Sequence, residues 1–334
     1  MKLVDTHRSD LTTLPAAPRV TVITICKDRA WCIEECVRSV LAQDYPNVEY
    51  LVQDGASRDN TLDVLKKYED RVRVVSEPDR GPIDAFHKAL AVATGDIFCL
   101  LLSDERFADD KVISRAVEAF HQYPDAGVIY GDFRAVDVDY REIRVERKRQ
   151  ITFEQIFRHD DFISPCAAFV RTETLRQDGT PKPDLRSFFG DVGDWGLWVY
   201  VASQYPIRHV PQIMADFMVH PDEGSYGLEL CRNYVRECET AIRSFHSDAY
   251  TPRDLAALKK RSLARVYLNF GNSLAGKYFS VPIQLAWKGI STRPQLIFTK
   301  SFLGVVVKCI GLYSLWPSRA DGKRMKQQLP RESQ

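Results

Sequence analysis

Residues Thr94 to Glu105 read TGDIFCLLLSDE, and the six apolar residues Ile97 to Leu102 run unbroken until Ser103-Asp104-Glu105. A short apolar run without alternation, bounded by Gly and acids, predicts a strand buried on both faces in a parallel sheet. Adjacent carboxylates at the end of such a strand sit at the carboxyl edge of the sheet, where open α/β sheets bind ligands. Two acids on a rigid strand end suit a hard divalent cation, and a cation there suits a phosphate-bearing ligand. The same three residues also suit a polar turn that caps the next helix.

Strand and helix signals alternate around this stretch. Arg19 to Cys26 is β-branched and reads as the first strand. Ile33, Cys36, Val37, Val40 and Leu41 recur at helical spacing, with Asp28 placed to cap that helix. Val48 to Gln53 is a second strand ending at Asp54-Gly55, and Ser57 or Asp59 can cap the helix after it. A third strand is expected over Val72 to Val75, a third helix over Pro82 to Ala93, and a fourth around Val112 to Phe120. This alternation predicts an α/β fold with a doubly wound, largely parallel sheet flanked by helices. The dinucleotide-binding version needs GxGxxG after its first strand; CKDRAW has no Gly there, which argues against a Rossmann dehydrogenase.

The pattern changes after about residue 130. Gly127 to Tyr130 reads as a strand, Pro165 to Val170 is another apolar run, and Phe133 to Val145 reads as an exposed hairpin. Asp191 to Ala202 reads as a helix, Ile207 to Ile213 as a strand, and His220 to Tyr226 as a polar loop. From Leu228 onward the chain reads as helical. The expected organisation is a lead-in over 1–18, a catalytic domain over 19–226 (halves 19–131 and 132–226), and a helical region over 227–334. Phe302 to Trp316 is the most apolar segment, but at 15 residues it is shorter than the roughly 20 that span a bilayer. Basic residues flank it, so a peripheral membrane contact through 295–326 is one expectation and a packed helix the other.

The formal net charge is +1, so no global basic field points to nucleic acid. The eight Cys form no CxxC pair and read as reduced, buried thiols of a cytoplasmic protein. The first 18 residues lack an apolar core segment, so no signal peptide is expected.

Four pieces follow one another along the chain: RVTVITICKDR, SVLAQDYPNVEYLVQDGASRDNT, SEPDRGPIDAFHKALAVATGDIFCLLLSDE and GDWGLW. In this combination the chain resembles a family 2 glycosyltransferase of the GT-A fold, of the bacterial polysaccharide-biosynthesis type, over about residues 19 to 220. The resemblance implies an inverting transfer from a nucleotide-diphosphate sugar, a UDP-sugar first, to a hydroxyl of a carbohydrate or lipid-linked acceptor. It implies that Thr24 and the loop to Asp28 line the nucleotide pocket and that Asp54 accepts a hydrogen bond from the base. Ser103 and Asp104 would lie near the ribose and a divalent cation, Mn2+ or Mg2+. Glu105 would be the more direct metal ligand, and His220 a third. The family's DxD departs here to SDE. Asp84 would face the donor sugar and Arg80 the diphosphate. Asp194 would be the general base, with Asp191 as fallback, and Gly193 stands where the family has Glu. A helix N-terminus at Asp194 would favour its ionised form.

Two other readings compete. A nucleotidyltransferase of the same fold usually carries a Gly-rich basic loop after the first strand, which CKDRAW lacks. A non-catalytic scaffold at the membrane has no need of Asp54, Asp104, Glu105 and Asp194.

Overall fold

The structure is a computed structural model that describes residues 11–177, 180–181, 193–219, 228–274, 280–295, 302, 303 and 305. It divides into two compact units, Met1–Ile156 with Asp161–His220 and Phe157–Asp160 with Pro221–Gln334.

The first unit is built on one sheet. Its strands are β1 (Val20–Cys26), β2 (Val48–Asp54), β3 (Arg73–Ser76), β4 (Ile97–Leu100), β5 (Arg106–Phe107), β6 (Val128–Val136), β7 (Glu142–Glu146), β8 (Ala168–Arg171) and β11 (Ile207–Met218). Helices α1 (Ile33–Leu41), α2 (Thr61–Lys66), α3 (Pro82–Val92), α4 (Val112–Gln122), α5 (Phe153–Phe157) and α6 (Gly193–Ala202) accompany it. A small pair, β9 (Arg176–Gln177) and β10 (Thr180–Pro181), stands apart. Among the described residues the order is β3-β2-β1-β4-β8-β6-β11-β5, with β7 on β6.

Strands β3, β2, β1 and β4 are parallel neighbours, as the alternation predicts. Every residue of β1 is buried, because helices cover both faces of a parallel sheet. Beyond β4 the sheet is mixed. β8 runs antiparallel to both β4 and β6, whereas β11 returns parallel to β6. The predicted hairpin over Phe133 to Val145 forms as β6 and β7, but Phe133, Ala135 and Val136 are buried and not exposed. Helix α1 buries Ile33, Cys36, Val37 and Val40. Its N-cap position is Cys32 without a side-chain cap, so Asp28 does not cap it.

At the opposite edge of the parallel strands a buried carboxylate closes the sheet. Glu49 accepts from the Thr21 hydroxyl at 2.5 Å and from the Thr94 amide and hydroxyl at 2.7 and 3.0 Å. Burial pushes its carboxyl up, but the Thr21 and Thr94 hydrogen bonds outweigh that and hold it below the ordinary value. Gly95 donates its amide to Thr21 Oγ1 at 2.9 Å. A Cβ on Gly95 would lie 2.6 Å from Thr21 N and 2.8 Å from Arg19 O. The backbone approach therefore admits only glycine.

The second unit contains α7 (Leu228–Ser244), α8 (Pro252–Leu274) and α9 (Ser280–Thr292). Thr251 starts α8 with a reciprocal cap: its hydroxyl donates to Asp254 at 2.8 Å and accepts the Asp254 amide at 3.2 Å. The Phe157 and Phe245 rings meet at a 47° tilt with centres 4.9 Å apart, and Arg265 pairs with Asp160 at 3.1 Å.

Gly95→Ala is expected to cost about 2 kcal/mol, since the methyl meets backbone that cannot yield. The measurement is a lowered urea midpoint with an unchanged slope.

Candidate active site

The carboxyl ends of β1 and β2 are laced together through one carboxylate. Asp54 closes β2 between Cys26 of β1 and Ser76 of β3 and is fully buried. Its Oδ2 accepts the Ser57 amide at 3.0 Å and the Ser76 hydroxyl at 2.6 Å. Its Oδ1 accepts the Ser57 hydroxyl and the Cys26 thiol. Two donors per oxygen fill the acceptor capacity of a carboxylate.

The rest of the motif QDGASRDNT does similar work. Ser57 Oγ accepts the Asp28 amide at 2.8 Å, and Asp28 Oδ1 accepts the Arg58 amide at 2.7 Å. Asp59 accepts the Ala30 amide at 3.1 Å, and Thr61 accepts the Arg29 amide at 2.8 Å. Loops 27–30 and 55–61 thus form a single rim. Asp28 is exposed on it, with a φ of 54°. Thr24 lies behind the rim, fully buried, with its hydroxyl 3.1 Å from the Tyr50 hydroxyl. Both Thr24 and Asp54 therefore spend their polar atoms inside the fold.

The acid turn follows β4. Leu101 donates its amide to Ile23 O at 2.9 Å, which ties the turn to β1. Ser103 and Glu105 are buried, whereas Asp104 is half-buried. Glu105 closes the turn reciprocally, its amide donating to Leu102 O at 3.0 Å and its Oε2 accepting the Leu102 amide at 2.7 Å. Its charge faces the core thiols Cys99 and Cys166, which burial first and Glu105 second push far above the ordinary thiol range. Asp104 lies by α1, where burial and then Asp104 push Cys32 up to about 12. That thiol is protonated at neutral pH.

Among the described residues no group of three or more His, Cys, Asp or Glu is placed to hold a metal ion. His220 lies outside the described residues. Hard cations in phosphate sites commonly rest on one or two carboxylates plus the ligand's own oxygens. Asp104 fits that set. Glu105, with its carboxylate drawn in under the turn, does not in this conformation.

Arg80 and Asp84 form a pair at the start of α3. Arg80 Nη2 donates to Asp84 Oδ1 at 2.9 Å, and Lys88 stands 3.6 Å from Oδ2. The Arg80 hydrogen bond, ahead of all other causes, holds the Asp84 carboxyl down to about 2. Arg80 itself is largely exposed.

Asp194 stands at the first turn of α6, a helix buried from Trp195 through Ala202. Such an apolar helix has no polar face and needs protein all round. The Trp195 indole donates to Ile156 O and the Trp198 indole to Ile163 O, each at 2.9 Å. Gly193 has a φ of +60°, a left-handed conformation that strains any L side chain. Asp194 is exposed, and its Oδ1 accepts the Trp195 amide at 2.9 Å. Desolvation by surrounding protein outweighs that bond and pushes its carboxyl up to about 6. The helix terminus was expected to lower it; desolvation wins. Water at the exposed side chain works against that shift. Asp191 lies outside the described residues.

Sequence reasoning missed a buried charge cluster beside the acid turn. Asp216 of β11 is buried and accepts Arg106 Nε at 2.8 Å and Arg134 Nε at 2.6 Å. Arg106 directly follows Glu105 and also lies 4.1 Å from the centre of the Tyr140 ring. The signal was present as an acid inside the apolar run IMADFM, since a buried carboxylate requires cationic or donor partners.

Asp216→Ala is expected to cost about 3 kcal/mol by removing the buried carboxylate that two part-buried guanidinium groups share. Thermal unfolding checks it. Asp54→Ala is expected to raise amide exchange at residues 55–58 by at least about tenfold, because it removes acceptors for three donors there and in β3.

Residues 21–178 match the family described as Glycosyl transferase family 2. The glycosyltransferase TuaG of Bacillus subtilis, named for teichuronic acid biosynthesis, is 38% identical over 99 residues, 28% of this chain and 39% of that one. The chain spans about two fifths of the length of the curated relatives it matches. Among solved structures, S. aureus TarS 1–349 in complex with UDP-GlcNAc superposes with a TM-score of 0.58 at 15% identity, covering 89% of this chain and 92% of that one. The mannosyltransferase PcManGT of Pyrobaculum calidifontis, in complex with GDP-Man and Mn2+, gives 0.54 at 20% identity over 92% and 91%. At these identities the likeness establishes the fold, which is GT-A.

Proposed function

The chain belongs to glycosyl transferase family 2 through residues 21–178, and from that premise we propose that it transfers a sugar from a nucleotide-diphosphate sugar to a hydroxyl acceptor with inversion. The observation that carries the reading is Asp194: an accessible carboxylate at the start of a buried helix, with its pKa raised to about 6. A base is more effective the closer its pKa lies to the working pH. Asp194 takes the proton of the acceptor hydroxyl as that oxygen attacks the anomeric carbon. The bond from that carbon to the diphosphate breaks on the opposite side, and the nucleoside diphosphate leaves. Asp191 is the fallback base.

The donor side is assigned to the laced rim. Loops 27–30 and 55–61 receive the nucleotide, with Asp28 at the surface and Asp54 holding the loops beneath it. Arg80 meets the diphosphate, and Asp84 holds Arg80. Ser103 and Asp104 face the ribose and the diphosphate. A divalent cation, Mn2+ or Mg2+, would be held by Asp104, with His220 as a further candidate ligand, and would supply neutralisation of the leaving group. UDP-GlcNAc in TarS and GDP-Man in PcManGT support a nucleotide-sugar donor, and a UDP-sugar is the first choice. The name of TuaG supports an acceptor in cell-surface polysaccharide assembly, carbohydrate or lipid-linked. A cytoplasmic location with peripheral membrane contact through 295–326 fits that acceptor. Among the described residues no helix is long and apolar enough to cross a membrane.

Asp194→Asn is expected to lower transfer by about 10³-fold while calorimetry finds nucleotide binding unchanged. Wild-type transfer is expected to fall about tenfold per pH unit below roughly 6, because the base must be ionised and its pKa is raised, not lowered. A rate constant down to about pH 4.5, near the ordinary carboxylate range, would overturn the assignment. Asp104→Asn is expected to weaken manganese-dependent binding of UDP by at least about tenfold.

A further inference from the structure

The near-neutral total of the chain hides a division of charge. Residues 221–334 hold eighteen Lys and Arg against nine Asp and Glu, whereas the whole chain has 46 against 45. The second unit is therefore strongly basic and the first acidic. Arg253, Lys260 and Arg261 of α8 are exposed.

Within this unit α8 and α9 approach through small residues. Ala264 and Ala286 are buried between them. A Cβ on Gly289 would lie 3.3 Å from Ala264 O and 3.2 Å from Leu268 Cγ, and one on Gly271 3.2 Å from Pro282 O. The core cluster of this pair is Ala264, Leu268, Ala286 and Val305, with Phe302 against it. Leu285 of α9 also faces this contact, 3.5 Å from the same Cβ position on Gly271, but two large apolar side chains of the helix do not. Ile283 and Trp287, one helical turn apart, are 42% and 71% exposed, and Leu303 is 45% exposed.

A helix pair folded for water buries its large apolar residues and shows small or polar ones outside. Helix α8 follows that order, with Leu258, Leu263, Val266, Tyr267 and Leu268 buried, but α9 departs from it at Ile283 and Trp287. Large apolar residues left on the outer face of a helix are how an amphipathic helix meets a lipid surface. Trp in particular favours the boundary between lipid and water. Since no described helix is long and apolar enough to span, a helix of this kind lies along the surface.

We propose that the outer face of α9, carrying Ile283 and Trp287 with Leu303 beyond, docks the second unit on an anionic lipid surface. The charge of the unit selects the lipid, since each basic side chain near an anionic bilayer strengthens binding about fivefold. The apolar face supplies the insertion that charge alone does not. This deepens the membrane contact proposed for residues 295–326, and for its lipid partner it rests on that reading. It requires neither sugar donor nor acceptor.

The test is flotation of the full chain with phosphatidylglycerol/phosphatidylcholine vesicles and with phosphatidylcholine vesicles alone. Binding is expected on the anionic vesicles at about 0.1 M salt and lost at about 1 M, where the Debye length falls from about 10 Å to about 3 Å. Ile283→Ser with Trp287→Ser, both at exposed positions, is expected to cut binding at least about tenfold with the circular dichroism spectrum retained. Failure of the intact chain to float overturns the proposal, and unchanged flotation of the double variant returns the contact to the later segment and overturns it as well. So does a wild-type dimer that the double variant splits, which assigns the face to a second copy. Manganese-dependent UDP-sugar hydrolysis without vesicles reads the transferase proposal separately.

Discussion

A carboxylate taken out of water must be met by donors, and at Asp54 four of them converge from three segments of chain. Cys26 comes from β1, Ser76 from β3, and Ser57 contributes both its amide and its hydroxyl from the loop between. An unmet buried charge costs several kcal/mol, so these segments cannot drift apart without the fold losing more than the contacts themselves. The edge of the parallel sheet is consequently a fixed piece of backbone. The rim above it inherits that rigidity through Ser57, which passes the hydrogen-bond chain on to Asp28.

The acids of the first unit divide by what surrounds them. Glu49, Asp54, Glu105, Asp132 and Asp216 are buried. Each holds strands or turns together by meeting backbone amides, hydroxyls or cationic side chains. Asp132, for example, accepts the Lys148 amide at 2.8 Å and stands 3.0 Å from His209 Nε2. Asp104 and Asp194 keep open surface. In the proposed transfer, the cation and the acceptor proton fall to these two.

The sequence made the parallel half legible because β-branched runs and helical spacing repeat there, and both periods survive burial. It was less informative after β4. Strand β8 runs antiparallel between β4 and β6, and strand direction leaves no mark in a run such as CAAFV. Asp54, Asp104 and Asp194 could all be singled out, because acids that end apolar runs stand out from their neighbours. Which of them keeps its carboxylate for a ligand could not be read. That depends on donors such as Ser76, 22 residues from Asp54, which the chain brings close only on folding. Glu105 shows the same difficulty over a shorter distance: its partner is the amide of Leu102, and a backbone amide has no letter in the sequence. Asp28 looked like a helix cap by position, but Ser57 and Arg58 claim it first.

Helix α6 is held at two indole hydrogen bonds and is apolar on every side, which makes it a poor moving part. Rotating or sliding it by one residue would expose tryptophan and strip both bonds at once. The carboxylate at its first turn is thus mounted on the stiffest support near it, with a left-handed glycine as the joint. A reactant that must meet Asp194 has to arrive already aligned, because the helix has no slack with which to reach for it. In the proposed transfer, selectivity among acceptors then falls to how the hydroxyl is brought to a fixed acid.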